Sequence, residues 1–179
     1  MLLFRAILVS LLLFTHLVYG ATNTLYILPN SAKPALKALL KSIDHARFRI
    51  DGAIYSFTHK EIAKHLAAAA KRGVKIRIIA DYSSNAFNRR SQIGYLAKYQ
   101  NIETWLLKGK PYKKSHRDHA LMHMKVMVID NRRIIFGSAN WTYSAFGKNY
   151  EILSIVDDYA KAKLLERGFE RMLNDAFPY

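Results

Sequence analysis

The alternation of apolar and polar positions predicts strands and helices in turn through the first half of the chain. The predicted elements are a strand at 25–28, a helix at 33–46, a strand at 47–57, an Ala-rich helix at 61–72 and a strand at 74–80. Pro29 and Gly73 separate neighbouring elements, as residues that interrupt regular structure do. Two successive strand–helix units therefore open the fold.

The second half differs because three apolar segments follow one another closely. The pattern predicts a helix at 91–99, a strand at 102–107, a basic loop at 109–118, strands at 121–130, 134–137 and 150–156, and a final helix at 158–173. Buried strands need cover on both sides. We therefore predict one α/β domain per chain, with a mixed, largely parallel β-sheet flanked by helices on both faces.

The first 20 residues have the order of an export signal. Arg5 precedes the apolar run 6–15, and small residues precede Ala21. The run is shorter than the roughly 20 residues that span a bilayer, which favours a cleaved signal peptide at 1–20, with an N-terminal membrane anchor as the alternative. We expect residues 21–179 to form the folded domain of an exported protein, either periplasmic or anchored to the inner membrane and facing the periplasm.

The charge of the chain indicates a polyanionic partner. Lys and Arg total 28 against 13 Asp and Glu, a formal net charge of +15, and there are no cysteines. Nucleic acid and an anionic membrane surface both fit this charge. The basic loop favours nucleic acid, because Lys113 and Lys114 could follow a phosphate backbone while Tyr112 stacks on an unpaired base. The other interpretation is a solvated basic loop.

The segment around His123 carries candidate chemistry. In an extended strand, His123 and Lys125 project from the same face. An imidazole can attack phosphorus while a cation stabilises the growing charge on the phosphate oxygens. Ser138 and Asn140 follow a later strand and can donate hydrogen bonds to the same phosphate. Glu151 could hold one ring nitrogen of His123 and so fix its tautomer.

The spacing His-x-Lys-x4-Asp-x6-Gly-Ser-x-Asn, from His123 to Asn140, resembles the signature of the phospholipase D superfamily. The form is similar to small bacterial nucleases with one such motif per chain, and the likeness extends over residues 23–176. The resemblance implies a nucleophile, phosphate ligands, a partner of the histidine and a structural residue. These would be His123 as nucleophile, Lys125, Ser138 and Asn140 as ligands, Glu151 as partner and Asp130 as the structural carboxylate.

Family members with two motifs complete the site within one chain, whereas this sequence offers one motif. The resemblance therefore implies a homodimer with both copies of His123 at the two-fold axis, and it requires neither metal nor cofactor. The alternative is a zinc site, for which the sequence provides a cluster of candidate ligands. The cluster comprises His116, Asp118, His119 and His123.

Three functions remain open at the level of sequence. The first is a metal-independent endonuclease that cleaves DNA or RNA, with or without single-strand preference, through a phosphohistidine. The alternatives are a phospholipid hydrolase of the phospholipase D or cardiolipin type and a nucleic-acid uptake receptor. Trp141, Tyr143 and Phe146 could provide either a stacking surface for bases or packing in the core or dimer.

Overall fold

A computed structural model describes residues 23–113 and 119–179 as one α/β domain built on a central sheet. The strands are β1 (Asn23–Leu28), β2 (Arg49–Ile54), β3 (Lys75–Asp81), β4 (Ile102–Leu107), β5 (Lys125–Ile129), β6 (Arg133–Gly137), β7 (Glu151–Asp157) and β8 (Phe177–Pro178). Their order across the sheet is β1-β7-β6-β5-β2-β3-β4-β8. The predicted signal segment at 1–20 lies outside the described residues.

Helices cover both faces of the sheet, as predicted. They are α1 (Ala32–Asp44), α2 (Lys60–Lys71), α3 (Tyr82–Asn85), α4 (Ile93–Leu96) and α5 (Tyr159–Asp175). Leu39 of α1 and Leu66 of α2 belong to the larger core, whereas Phe169 of α5 packs in the second core on the opposite face. Among the described residues, no helix has the length and apolar character needed to cross a membrane.

The mixed sheet is confirmed, but its parallel share is smaller than predicted. The β2–β3 and β3–β4 pairs are parallel, and the other five pairs are antiparallel. For β5 and β6 the reason is their short connection, because a tight turn joins antiparallel neighbours. At the β5–β6 turn, Asp130 and Asn131 adopt φ values of 51° and 55°, as hairpin turns require.

Two predicted elements are shorter in the structure, and one observed strand was not predicted. The helix predicted at 91–99 is limited to the single turn of α4, and the strand predicted at 121–130 begins only at Lys125. His123 therefore precedes β5, because the Met122 N–H is bonded to a side chain, the Asp81 carboxylate, at 2.9 Å. The short strand β8, which pairs with β4 at the sheet edge, was not predicted.

Candidate active site

His123 lies on the segment that enters β5, at the end of the sheet where β2 and β3 terminate. Its side chain is exposed, and its ring centroid is 4.6 Å from that of Tyr55, with the planes tilted by 56°. Backbone pairing fixes this contact, because the Tyr55 N–H donates to the Met124 carbonyl at 2.9 Å. Within residues 23–113 and 119–179 the imidazole makes no hydrogen bond, so its nitrogens are available to a substrate.

Lys125 opens β5 and lies against the same tyrosine ring. Its ammonium is 5.1 Å from the Tyr55 ring centroid and donates to the His123 carbonyl at 2.9 Å. The residue is 8% exposed. Burial lowers the pKa of this ammonium, while the carboxylates of Glu151 and Asp81 act in the opposite direction. The predicted pairing of His123 with Lys125 is thus formed around Tyr55.

Asn140 is oriented by the segment that follows β2. Its side-chain Oδ1 accepts from the Ser56 N–H at 3.2 Å, and the Trp141 N–H donates to the Ser56 carbonyl at 3.1 Å. Trp141 is buried over Gly52, where an added Cβ would lie 2.7 Å from the indole ring. Because the oxygen of the amide is engaged, its NH₂ group is the part that can donate to a ligand.

Ser138 and Glu151 contact each other rather than the histidine. The Ser138 hydroxyl donates to one carboxylate oxygen of Glu151, and the Asn149 amide donates to the other at 3.2 Å. Among the described residues these are the hydrogen bonds of the Glu151 carboxylate, and its role as the partner of His123 stays a prediction. The two strands that carry Ser138 and Glu151 approach closely, since a Cβ at Gly137 would lie 2.1 Å from the Ile152 carbonyl oxygen.

The Asp130 carboxylate binds the start of β2. It accepts from the backbone N–H groups of Arg47, Phe48 and Arg49 at 2.8, 3.0 and 3.1 Å. The left-handed backbone at Asp130 and Asn131 turns the chain back into β6. The contact connects two segments more than 80 residues apart in sequence, at the end of β5 opposite His123.

The basic loop is fastened beside the histidine at its base. The Gly109 N–H donates to the Ala120 carbonyl at 2.8 Å, and the Ala120 N–H donates to the Lys110 carbonyl at 3.0 Å. Tyr112 is 58% exposed, and Lys113 is exposed too. Lys114 lies outside the described residues, as do two members of the alternative zinc cluster, His116 and Asp118.

The aromatic residues after Asn140 have different environments. Trp141 and Phe146 are buried in the larger core, at 2% and 8% exposure. Tyr143 is 56% exposed and stacks on the buried His59, with ring centroids 4.1 Å apart. Core packing thus accounts for two of the three, and Tyr143 alone presents a ring at the surface.

Three residues that position this site were assigned no role in it from the sequence, although Tyr55 and Ser56 lie in a segment, 54–58, that belongs to the resemblance. Asp81 binds the N–H of Met122, Tyr55 contacts His123 and Lys125, and Ser56 holds the Asn140 amide. One local signal was available for Asp81. It is the last residue of the buried parallel strand β3 and caps α3 by accepting from the Ser84 N–H at 2.9 Å, and ligand sites of α/β sheets gather where such strands end.

A known protein family matches the part of the chain that contains these site residues. A family model described as "Cardiolipin synthase, PLD-like domain" matches residues 39–173. The human mitochondrial cardiolipin hydrolase is 31% identical over 138 residues, which are 77% of this chain and 50% of that protein. The chain thus spans about half the length of this curated relative.

Solved structures match over more of their length. NucT from Helicobacter pylori is 39% identical with a TM-score of 0.86, and the match covers 89% of this chain and 100% of that one. Nuc from Salmonella typhimurium, a phospholipase D family member, is 26% identical with a TM-score of 0.71, over 89% and 99% of the two chains. On the matched region and the shared fold, the chain belongs to the phospholipase D superfamily of phosphodiesterases, in its PLD-like domain family.

Proposed function

We propose that this protein hydrolyses phosphodiester bonds of DNA or RNA, without a metal ion, through a phosphohistidine at His123. One observation carries the proposal. The imidazole of His123 is exposed and makes no hydrogen bond within the described part of the chain, and the Lys125 ammonium lies against the same tyrosine ring. An available nucleophile beside a fixed cation is what phosphoryl transfer needs.

The reaction has two steps. In the first, a ring nitrogen of His123 bonds to phosphorus while the bond from phosphorus to the leaving oxygen breaks and an acid protonates that oxygen. In the second, water attacks phosphorus, gives its proton to the same group acting as base, and the nitrogen–phosphorus bond breaks. Lys125 and the NH₂ of Asn140 donate to the non-bridging oxygens, whose charge grows in both steps.

A second copy of the chain supplies the acid. Strands β1, β7 and β6 present an apolar face next to α5. Four large side chains on these strands are exposed: Leu25 (58%), Ile27 (60%), Phe136 (44%) and Ile152 (49%). The pairing register places these four side chains on the same side of β1, β7 and β6. Phe136 also lines a cavity of about 390 Å³ together with His123 and Lys125. A copy docked on this face would bring its own His123 to the same rim.

Nucleic acid is the favoured substrate because of the charge near the site. The net charge is +15, and Lys108, Lys110 and Lys113 lie on the loop fastened beside His123. Cations in a row can neutralise successive phosphates of one strand. Lys108 is held in place, with its ammonium 4.4 Å from the Tyr82 ring centroid.

Trapping of the intermediate tests the chemistry. The protein is incubated with a single-stranded oligonucleotide carrying one internal ³²P phosphate and is quenched in alkali, in which phosphohistidine survives. We expect label on the unaltered protein and none on His123→Asn. Equal cleavage by His123→Asn would overturn the assignment, and binding of the oligonucleotide without cleavage by the unaltered protein would favour an uptake receptor.

Mixing of subunits tests the dimer. Unaltered and His123→Ala proteins are unfolded together in equal amounts and refolded, and exchange is checked with differently tagged copies. If both histidines act on one phosphate, only about a quarter of the dimers are intact, and activity falls to about that fraction. A retained half after proven exchange would show that each chain has a complete site.

A phospholipid hydrolase is the second candidate, and one observation favours it. A largely apolar cavity of about 540 Å³ reaches His123 between the sheet and α5, lined by Leu121, Met122, Leu164 and Leu165 among others. Such a cavity could accept acyl chains, which the sequence did not indicate. Cleavage of cardiolipin vesicles at a higher kcat/KM than single-stranded DNA, duplex DNA or RNA would establish this alternative.

Export follows from the pattern at 1–20 and is part of the proposal. We expect the protein in the periplasm or attached to the inner membrane facing it. A C-terminal epitope should fractionate with periplasmic or membrane markers and become accessible to protease once the outer membrane is opened. Recovery with cytoplasmic markers alone would contradict this localisation.

A further inference from the structure

We propose that a second cavity, next to Asn140, binds another phosphodiester of the same single strand together with its unpaired base. The cavity has a volume of about 500 Å³ and is lined by Lys60, Arg89, Arg90 and Tyr143, with hydroxyl and amide side chains between them. This inference rests on the proposed function, and it names the part of the substrate that lies beyond the scissile phosphate.

Charge is the first observation that points to an anion. Three cationic side chains line the cavity, and among the residues that the structure describes no carboxylate does. Lys60, Arg89 and Arg90 are exposed, and none of them forms an ion pair in the part of the chain that the structure describes. Glu61, next to Lys60 in sequence, does not line the cavity. Cations gathered without an acid repel one another and are stabilised by a bound anion.

Backbone hydrogen bonds connect this cavity to the active site. The N–H groups of Thr58 and His59 both donate to the Trp141 carbonyl at 2.9 Å, and the Gln92 N–H donates to the Phe57 carbonyl at 2.9 Å. The three segments that line the cavity are thereby tied to the residues after β2. The same segment holds Asn140 through the Ser56 N–H. The cationic cavity is therefore held at a fixed position relative to Asn140.

Tyr143 provides the surface for a base. Its ring stacks on the His59 ring with 23° between the planes, and it is 56% exposed. His59 is 2% exposed, and burial lowers the pKa of its imidazole, which favours a neutral ring beneath the tyrosine. Bases stack on such aromatic platforms when they are unpaired. Duplex bases are already stacked on their neighbours, so the cavity selects single strands.

Binding of a fluorescent single-stranded oligonucleotide, measured by anisotropy in the His123→Ala background, tests the inference without cleavage. We expect Arg89→Ala/Arg90→Ala to weaken binding about tenfold and to flatten the salt dependence by a slope of about 0.7 for one lost phosphate contact. The matched control is Lys33→Ala/Lys37→Ala, which removes the same charge from exposed positions of α1. It should have a clearly smaller effect on both quantities.

The tyrosine is tested by a second pair of variants. Tyr143→Ala should weaken binding by about tenfold, whereas Tyr143→Phe keeps the ring and should bind as the parent does. Thermal unfolding of both variants checks that a changed contact with His59 has not unfolded the protein. Equal binding by Tyr143→Ala and Tyr143→Phe would overturn the base-stacking part of the inference.

Kinetic measurements with two substrates distinguish a failure of this inference from a failure of the proposed function. Bis(4-nitrophenyl) phosphate has one phosphate and cannot occupy both sites, so Arg89→Ala/Arg90→Ala should lower the ratio of kcat/KM for the oligonucleotide to kcat/KM for this diester by about tenfold. An unchanged ratio, or an equal loss of binding to cardiolipin vesicles, would overturn the second site. No hydrolysis of either substrate by the unaltered protein would overturn the proposed function. The anisotropy measurements would still show whether the cavity binds the oligonucleotide.

Discussion

The Asp81 carboxylate holds the segment that carries His123, and its removal is a direct test of how the site is positioned. Asp81 is 1% exposed, and its two oxygens have different partners. One accepts from the Ser84 N–H at 2.9 Å and caps α3, and the other accepts from the Met122 N–H at 2.9 Å. Only the second bond reaches the active-site segment.

The expected loss of stability is worked from these two backbone bonds, which the Ser83 hydroxyl supplements by donating at 2.5 Å to the oxygen that caps α3. Removal of a helix cap costs about 1 kcal/mol, and a buried N–H left without a partner costs about 1–3 kcal/mol. Asp81→Ala should therefore lower the free energy of unfolding by about 2–4 kcal/mol. Asp81→Asn retains one acceptor oxygen for two N–H donors, so its loss should be intermediate.

Urea denaturation gives the stability, and hydrolysis of bis(4-nitrophenyl) phosphate gives kcat per folded protein. The matched control is Asp158→Ala, because Asp158 also caps a helix, accepting from the Lys161 N–H at 2.9 Å, but lies on the surface at α5. We expect kcat to fall on the order of tenfold for Asp81→Ala or Asp81→Asn, since displaced catalytic groups lose rate steeply. An unfolding free energy and kcat equal to those of Asp158→Ala would refute the reasoning.

The remaining predictions concern metal, pH and the β5–β6 turn. EDTA should leave hydrolysis unchanged, and loss of activity with recovery on added zinc would contradict the proposed chemistry. Burial lowers the pKa of Lys125 below its ordinary 10.5, so the rate of hydrolysis should decline as pH rises through that lowered pKa. The variant Lys125→Arg stays charged and should move the decline to higher pH. Profiles of rate against pH for both proteins measure this. Asp130→Ala should lower the free energy of unfolding by about 1–2 kcal/mol, and Asp130→Asn should lower it by less. Urea denaturation measures both values. A larger loss for Asp130→Asn than for Asp130→Ala would contradict the role of the carboxylate oxygens.

Strands and helices that owe their form to a local pattern were predictable. The strand at 102–107 has the predicted bounds, because alternate side chains of β4 enter the core. The start of β5 was placed too early because Leu121 and Met122 continue the apolar pattern, whereas a bond from Asp81, 41 residues away, directs the backbone there. The share of parallel pairs depends on strand order, which a pattern along one chain does not contain.

The candidate site, too, was predictable only where its residues are close together in sequence. His123, Lys125 and Asn140 were identified by spacing within 18 residues, and the structure groups them through Tyr55 and Ser56. The bond from the Ser56 N–H to Asn140 spans 84 residues, so no local pattern indicates it. The contact between Ser138 and Glu151 depends on the register of β6 and β7, which the spacing of residues along the chain does not contain.

These contacts also explain how the exposed imidazole of His123 can be held in position for the proposed reaction without a hydrogen bond of its own among the described residues. The backbone before His123 is bonded to Asp81, the backbone after it to Tyr55, and the ring lies against the Tyr55 side chain. Orientation therefore comes from the main chain and from ring packing. Both nitrogens stay available, so in the proposed mechanism one can attack phosphorus and the other can carry a proton. Because donors held in place need little reorganisation during the reaction, loss of Asp81 should lower kcat more than it raises KM, whereas loss of the cations around the second cavity should act on substrate binding.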